Sequence, residues 1–142
     1  DGSVSPYGLT GHRHKPEIEQ TYSALAGEKI GIVFNTHLVP MRRGLLATVT
    51  IPLSKRVTER RITEFYEKAY EAEPFVRFIG YGESVQTASV ARTNLADGSV
   101  ALQDPQTLVA TCAIDNLGKG AASQAVQCFD ETVGLVTPPA AL

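Results

Sequence analysis

The chain has no tryptophan, one methionine and two cysteines among its 142 residues. Two cysteines in so ordinary a composition exclude a disulfide-stapled scaffold, and we expect Cys112 and Cys128 to be buried, reduced thiols of a cytoplasmic protein, or of an organelle in a eukaryote. The chain also lacks an excess of charge: the net charge is -2 and the pI is about 5.9. This balance argues against a nucleic-acid-binding surface and against a basic helix that lies on a membrane. We therefore expect neither nucleic acid nor a membrane as a partner. No apolar run approaches the roughly 18 residues of a membrane span.

What is present is typical of a globular domain. Hydrophobic residues make up 43% of the chain and charged residues 20%, which a chain of this length can fold around one core. We therefore expect a single domain over residues 1–142. The sequence starts at Asp1-Gly2-Ser3 without methionine or a signal-peptide pattern. We expect a processed or truncated product.

Periodicity and turn residues predict the elements of the first half of the chain. Pro16 fits the first turn of a helix whose apolar residues are spaced along one face, and Gly27 ends it. Strands are predicted over residues 29–36 and 44–53, separated by a loop that contains Pro40. Thr58 is the predicted N-cap of a second helix that continues to about residue 72. The apolar face of the first helix consists of Ile18, Tyr22 and Leu25, and that of the second of Ile62, Phe65, Tyr66 and Ala69.

The second half reads as strands followed by a helix. Strands are predicted at residues 75–79, 89–93, 98–103 and 107–114, with a turn at Asp104-Pro105. A turn over residues 116–120 precedes a helix over residues 121–133, which Gly134 ends before an extended tail at residues 137–139. This order predicts an α+β fold, with one mixed, mostly antiparallel sheet and helices packed on one face. No glycine-rich phosphate loop opens a βαβ unit, so we do not expect this chain to hold a dinucleotide alone.

Two histidines, His12 and His14, flank Arg13 just before the first helix. On an extended approach the two imidazoles share one face, with Arg13 opposite. Together with Glu17 they could form a metal site, an acid–base centre or a solvated polar turn. A metal needs further ligands, the nearest candidate is His37, and the spacing matches no zinc pattern. An acid–base centre is plausible because histidine titrates near neutral pH.

Two other groups of residues have both a structural and a functional interpretation. Arg42 and Arg43 are either a solvated pair or a fork for a phosphate or carboxylate, which arginine binds bidentately. Asn116 and Lys119 precede a helix rich in glycine and alanine. The small residues allow either tight helix packing or close approach of a neighbouring domain or cofactor.

Four motifs, in this order along the chain, resemble those of N-acetyl-gamma-glutamyl-phosphate reductases. The resemblance covers nearly the whole chain and implies a fold like the C-terminal domain of glyceraldehyde-3-phosphate dehydrogenase. The motifs are Ser5-Pro6-Tyr7-Gly8-Leu9-Thr10-Gly11-His12-Arg13-His14 with Pro16-Glu17-Ile18-Glu19-Gln20; Thr36-His37-Leu38-Val39-Pro40-Met41 with Arg43-Gly44; Glu73-Pro74-Phe75-Val76-Arg77; and Ile114-Asp115-Asn116-Leu117-Gly118-Lys119-Gly120-Ala121-Ala122-Ser123-Gln124-Ala125-Val126-Gln127.

The resemblance implies NADPH-dependent reduction of an acyl phosphate, N-acetyl-gamma-glutamyl phosphate, to the semialdehyde in arginine biosynthesis. A thiolate attacks the acyl phosphate, phosphate leaves, and hydride reduces the thioester; a histidine activates the thiol and manages the proton of the hemithioacetal. By this resemblance His12 is the catalytic base. The implied substrate-binding residues are Arg13, His14, Glu17 and Arg43, and those that face the NADP nicotinamide are Asn116 and Lys119; no metal is implied.

The chain also departs from the family pattern. The family's nucleophilic cysteine belongs to an upstream Gly-Cys motif and a Rossmann half binds NADP; this chain contains neither. Cys128 stands where the family usually has asparagine, and residues 91–96 match the family's Gly-x-Asn segment only loosely. We therefore expect no reductase activity from the chain alone, and partners that comprise the acyl phosphate, the Rossmann domain of the same enzyme and further copies of this chain.

Two alternatives remain open. One is the substrate domain of another semialdehyde dehydrogenase, of the aspartate-semialdehyde or aminoadipate-phosphate type, although the Gly-His-Arg-His run favours the first interpretation. The other is a non-catalytic binding or dimerisation module.

Overall fold

The computed structural model describes residues 2–135, which fall into two compact units, Asp1–Arg42 and Arg43–Leu142. The expected tail at residues 137–139 lies outside the described residues. The single domain over residues 1–142 stays a prediction. Within the described residues no helix is both long enough and apolar enough to cross a membrane.

The first unit contains one helix and a short two-stranded sheet. Strands β1 (Ser5–Tyr7) and β2 (Thr36–Leu38) pair antiparallel. The Thr36 hydroxyl donates to the Tyr7 carbonyl at 2.7 Å, which closes this pairing. Helix α1 (His14–Ala26) lies between them in sequence and ends at Gly27. Gly27 was predicted to end the helix, and it does so with a left-handed φ of 71°, a conformation that glycine adopts readily.

The predicted strand over residues 29–36 is wrong except for its last residue. Residues 29–35 are assigned to no strand, and side chains of α1 accept two of their backbone N–H groups instead. Ile30 donates to the Ser23 hydroxyl at 2.9 Å, and Ile32 donates to the Glu19 carboxylate at 3.0 Å. The alternating apolar residues of this segment are therefore tied to the helix rather than to a neighbouring strand. The apolar face of α1 has no buried residue, and Leu25 is 79% exposed.

The second unit is built on a four-stranded sheet in the order β3-β6-β5-β4. The β3–β6 and β5–β6 pairs are antiparallel and the β4–β5 pair is parallel. The predicted α+β class, with a mixed and mostly antiparallel sheet, is confirmed. In chain order the elements of this unit are β3 (Leu45–Pro52), α2 (Glu59–Tyr70), β4 (Val76–Tyr81), α3 (Thr87–Val90), β5 (Ala96–Asp104), β6 (Thr107–Ile114), a π-helical turn (Gly118–Ala122) and α4 (Ser123–Thr132).

Helix α2 covers one face of this sheet. Thr58 caps the helix as predicted, its side-chain oxygen accepting the Arg61 N–H at 3.4 Å. Ile62 then packs against Val100 and Leu108 to form the buried core. Burying one such aliphatic side chain contributes about 1.5–3 kcal/mol. Phe65, placed by spacing on the apolar face, is instead 65% exposed, so that part of the predicted face is wrong.

The predicted strand at residues 89–93 is also wrong. The segment forms α3 followed by a turn in which the Thr93 N–H donates to the Val90 carbonyl. Arg92 adopts a φ of 63°, which no strand residue has. Val90 is fully buried, so its apolar character reflects burial in a helical turn rather than in a sheet.

The two cysteines are exposed, so the expectation of buried thiols is wrong. Cys112 lies on β6 opposite Ala47 and Gly98. Partial burial of the thiol and, to a lesser extent, the negative charge of Asp97 nevertheless raise the pKa of Cys112.

Candidate functional site

In the first unit three rings surround that of His12, and we call the four residues Tyr7, His12, His14 and Phe34 the histidine cluster. The His12 ring lies 5.4 Å from that of Tyr7, 4.8 Å from that of His14 and 5.3 Å from that of Phe34, each in edge-to-face geometry. Gly8, with a φ of 63°, passes so close that a Cβ there would lie 3.0 Å from His12 Cδ2. These contacts hold the imidazole on three sides.

The backbone fixes one nitrogen of His12. The His14 N–H donates to His12 Nδ1 at 3.2 Å. A neutral imidazole has one donor and one acceptor nitrogen, so in this arrangement the proton of neutral His12 is on Nε2. Arg13 has helical φ and ψ of -54° and -31°, so the expected extended approach is wrong. The two imidazoles are adjacent as predicted, but a helical turn brings them together.

The other predicted residues of this unit are exposed. Arg13 and Glu17 lie at the start of α1, where Arg13 is the N-cap without a side-chain capping bond. Glu19, which was not predicted as a site residue, makes the contacts instead. Its carboxylate forms an ion pair with Lys15 and accepts the Ile32 N–H. These two hydrogen bonds lower the pKa of Glu19, and the one from Lys15 has the larger effect.

The third histidine, His37, is exposed and lies opposite Pro6 in the β1–β2 pair. Within residues 2–135 no group of three or more histidine, cysteine, aspartate or glutamate side chains is placed to hold a metal ion.

In the second unit a buried carboxylate, Asp115, joins three segments of the chain. Oδ1 accepts the N–H groups of Leu117 and Gly118 at 2.8 and 2.9 Å. Oδ2 accepts the Arg43 guanidinium at 2.8 Å and the Arg92 N–H at 2.6 Å. Both oxygens are therefore fully used by donors. Asp115, which directly follows β6, is thus bonded both to Arg43 before β3 and to the turn after α3.

These donors decide the charge of Asp115. Burial by itself would raise its pKa, but the N–H groups of Arg92, Gly118 and Leu117 and the charge of Arg43 outweigh burial and lower the pKa to about 2. Asp115 is accordingly ionised at neutral pH. Sequence reasoning missed its role, although an Asp followed by Asn-Leu-Gly is a signal for a turn closed by the aspartate side chain.

The two predicted cofactor-facing residues both have partners within this unit. Asn116 Oδ1 accepts the Gly44 N–H at 2.8 Å. Lys119 Nζ donates to Gln127 Oε1 at 2.7 Å and lies 4.9 Å above the centre of the Phe75 ring. Burial lowers the pKa of Lys119. The two side chains therefore hold the turn after β6 in place.

The glycines of this turn face the protein's own backbone. A Cβ at Gly118 would lie 3.0 Å from the Thr93 carbonyl oxygen, and one at Gly120 would lie 3.4 Å from the Asp115 carbonyl oxygen. The tight-packing interpretation of these small residues is thus the one that the structure supports. Asn94, in the segment that loosely matches Gly-x-Asn, is fully buried and donates to Gln127 Oε1 at 2.9 Å.

Above the Asp115 network lies a cleft of about 470 Å³, which we call the arginine cleft. It brings the predicted Arg43 together with Arg92, a residue that no spacing or motif had indicated. Arg43 is 38% exposed despite its bond to Asp115. The cleft is lined by Arg43, Arg92, Leu117, Gly118, Ala122 and Ser123.

A second concave surface, of about 550 Å³, runs along α2 and β4 and contains none of the predicted site residues. Its charged lining is mostly acidic, with Glu64, Glu67 and Glu71 beside Lys68. It therefore suits an anionic substrate less well than the arginine cleft does.

The model of the semialdehyde dehydrogenase dimerisation-domain family matches residues 1–116 of this chain. Among curated proteins, the chain is similar to N-acetyl-gamma-glutamyl-phosphate reductases from several bacteria. It is 44% identical over 137 residues to that of Arthrobacter sp. (strain FB24), an alignment that covers 94% of this chain and 40% of the relative.

Two further relatives agree with this match. The reductase of Moorella thermoacetica is 42% identical over 144 residues, covering 96% of this chain and 41% of the relative. That of Corynebacterium diphtheriae is 43% identical over 136 residues, covering 94% and 39%. The chain thus spans about 40% of the length of the curated relatives it matches.

Proposed function

The chain belongs to the semialdehyde dehydrogenase dimerisation-domain family, and we propose that it is the substrate-binding and dimerisation part of an NADPH-dependent N-acetyl-gamma-glutamyl-phosphate reductase. Such an enzyme converts the acyl phosphate to the semialdehyde in arginine biosynthesis. Support comes from the reductases that it resembles along nearly its whole length. The structural observation that carries the proposal is the histidine cluster, which holds one imidazole with one of its nitrogens committed to the backbone.

His12 is the residue that we assign to proton handling. Its Nδ1 accepts the His14 N–H, so Nε2 is the nitrogen left to act on a reacting group. As Nε2–H it can donate a hydrogen bond to the oxygen of the thioester or hemithioacetal, where negative charge develops when hydride arrives. To accept a thiol proton at Nε2, the imidazole must first give up the hydrogen bond from His14. The proposal therefore assigns stabilisation of the oxygen to the observed arrangement, and thiol activation to a rotated one.

The substrate carries a phosphate and a carboxylate, and the proposal assigns their recognition to arginines. Arg13 and Arg43 are both exposed enough to reach a ligand, and a guanidinium binds either anion through two parallel hydrogen bonds. His14 and Glu17 complete the proposed substrate contacts. Arg43 keeps N–H donors besides the one that it gives to Asp115.

NADPH supplies hydride when it is bound. The described residues fit this cofactor only at its edge: Asn116 and Lys119 are engaged with Gly44 and Gln127. Gly118 and Gly120 face the chain's own backbone. We therefore assign most of the cofactor's binding to a Rossmann domain outside this chain. Asn116 and Lys119 shape the surface on which the nicotinamide would rest.

The thiol nucleophile is likewise assigned to that other domain. Cys112 lies in the sheet with a raised pKa, which disfavours the thiolate that an acyl phosphate needs. The test is NADPH consumption with N-acetyl-gamma-glutamyl phosphate, first with this chain alone and then with it joined to the nucleotide-binding part of a relative. We expect turnover only in the joined protein. Thiol-dependent turnover by the chain alone would contradict the proposal.

The dimerisation role is supported by the outer strand β3. It is an edge strand of the sheet, and it carries the exposed apolar side chains of Leu45, Leu46 and Val49. Exposed edge strands with apolar side chains are prone to associate. We assign this edge to the contact between two copies. Sedimentation velocity should show a dimer that Val49→Lys weakens and that the control Lys55→Glu, at an exposed position after β3, leaves intact; a dimer unaffected by Val49→Lys would place the contact elsewhere.

A further inference from the structure

We infer that Arg92 makes the arginine cleft a binding site for a phosphate dianion. Arg43 and Arg92 both line the cleft, with the small residues Gly118 and Ala122 and the hydroxyl residue Ser123. The binding of phosphate by the cleft is independent of the proposed function. It rests on that function only where it names the substrate's acyl phosphate as the natural occupant.

The backbone of Arg92 is held in an unfavourable conformation. Arg92 has a φ of 63°, and among residues 2–135 it is the one residue other than glycine with a positive φ. This left-handed region costs free energy for an arginine and none for a glycine. The hydrogen bond from the Arg92 N–H to Asp115 Oδ2, at 2.6 Å, holds the backbone there whatever the side chain is. A glycine would therefore serve the fold better, and the guanidinium needs another explanation.

The fold therefore maintains the strain at Arg92 rather than relieving it. Strain of this kind, kept where a relaxed residue is available, is a pointer to function.

The charges around the cleft also favour an anion. Asp115, the carboxylate beneath the cleft, is fully buried, and its two oxygens already accept four donors. It therefore offers the cleft no free acceptor, and its charge is offset by Arg43. Arg92 lines the cleft and is exposed, so we assign to its side chain the net positive charge that a ligand in the cleft meets. Two arginines and a serine on one lining match the several oxygens of a phosphate dianion better than they match a carboxylate.

The test is calorimetric titration of the 142-residue chain with inorganic phosphate at low ionic strength. Arg92→Gly should weaken phosphate binding at least tenfold, and its thermal unfolding midpoint should be equal to or above that of the wild type because the backbone strain is removed. The loss of binding then cannot result from unfolding. The control is Arg60→Gln: Arg60 is 87% exposed on α2, outside the cleft, and its loss should leave phosphate affinity within twofold of wild type.

Two competition arms identify the source of the phosphate. Displacement of inorganic phosphate by acetylphosphonate, a stable mimic of an acyl phosphate, indicates the substrate; displacement by adenosine 2′-monophosphate indicates the cofactor. Either result supports the site. Equal affinity of Arg92→Gly and wild type for phosphate, or no phosphate binding by the wild type, overturns the inference. Phosphate binding is measured without turnover. The reductase function can therefore be wrong while the phosphate site is correct, and the phosphate site can be wrong while the reductase function is correct.

Discussion

Replacing Asp115 by asparagine removes one charge from the most connected buried side chain of the second unit, while its shape is kept. The wild-type carboxylate accepts four donors, from Arg43, Arg92, Leu117 and Gly118. An asparagine has one oxygen, so at least one pair of these donors loses its acceptor and meets the NH₂ group of the new side chain instead. Buried donors left without a partner cost about 1–3 kcal/mol each.

The loss of stability can be worked out from the pKa of Asp115 and from the hydrogen bonds that it accepts. The difference between the ordinary aspartate pKa of 3.8 and the value of about 2 in the folded chain corresponds to roughly 2 kcal/mol. Screening through Arg43, which is 38% exposed, reduces this to about 1–2 kcal/mol. The donors left without an acceptor, at about 1–3 kcal/mol each, are also causes of the lowered pKa, so the two figures overlap and are not summed. We therefore expect Asp115→Asn to lower the free energy of unfolding by about 2–4 kcal/mol at pH 7.

The pH dependence of the difference is the sharper test. The folded-state pKa of Asp115 is lower than the unfolded one, so the carboxylate's contribution is complete above the unfolded pKa of 3.8 and is lost as the pH falls through about 2. Urea unfolding of wild type and Asp115→Asn should therefore differ by a constant amount between pH 5 and 7 and converge below pH 4. The surface variant Glu67→Gln should stay within about 0.5 kcal/mol of wild type. An Asp115→Asn variant as stable as Glu67→Gln, or a difference that persists undiminished at pH 2, would refute the network.

Three further substitutions or reagents test other parts of the structure. Gly44→Ala should lower the free energy of unfolding by about 1–3 kcal/mol in thermal unfolding, because Gly44 has a φ of 119° and a Cβ there would lie 2.7 Å from Thr87 Cβ. A variant as stable as wild type would mean that the structure has room for a Cβ at Gly44. Arg77→Gln should cost about 1–3 kcal/mol in urea unfolding, because Arg77 holds the buried Asp97 through two bonds of 2.6 and 2.8 Å; Arg60→Gln is its control, and equal losses would contradict a specific pair. Cys112 is exposed, but partial burial of its thiol raises its pKa. It should therefore react with iodoacetamide at pH 7 more slowly than a small free thiol, and the two rates should approach each other only at alkaline pH, above that raised pKa. Equal rates at pH 7 would show that the pKa of Cys112 is not raised.

Local rules predicted those elements whose causes lie close together in sequence. The side chain of Thr58 caps the next turn, Gly27 takes the left-handed conformation that ends α1, and Asp104 closes the turn before β6 by accepting the Gln106 N–H at 2.7 Å. The predicted strands at residues 98–103 and 107–114 correspond to β5 and β6 for the same reason, because that turn joins them.

Local rules failed where a distant residue supplies the hydrogen-bond partner. Apolar residues alternate in residues 29–35 as they do in a strand. The N–H groups of Ile30 and Ile32 nevertheless donate to the side chains of Ser23 and Glu19, and not to a neighbouring strand. The segment around Arg92 was expected to be a strand, but Asp115, 23 positions away, holds its N–H in a turn. No periodicity contains this information.

The candidate site shows the same division. The sequence placed His12 and His14 side by side, and the structure brings their rings to 4.8 Å. It indicated Arg43 as an anion-binding residue, but not that Asp115, 72 positions later, would orient it. Arg92 could not have been found from spacing, because its place in the cleft depends on a backbone conformation that favours glycine.

The central claim is that this chain supplies the proton-handling histidine of an acyl-phosphate reductase, and the most direct measurement is kcat for NADPH oxidation with N-acetyl-gamma-glutamyl phosphate. The chain is joined to the nucleotide-binding part of a relative and compared with its His12→Ala variant. We predict that the variant folds and loses about 10²–10⁴ in kcat. A variant whose kcat stays within a few-fold of wild type would contradict the account.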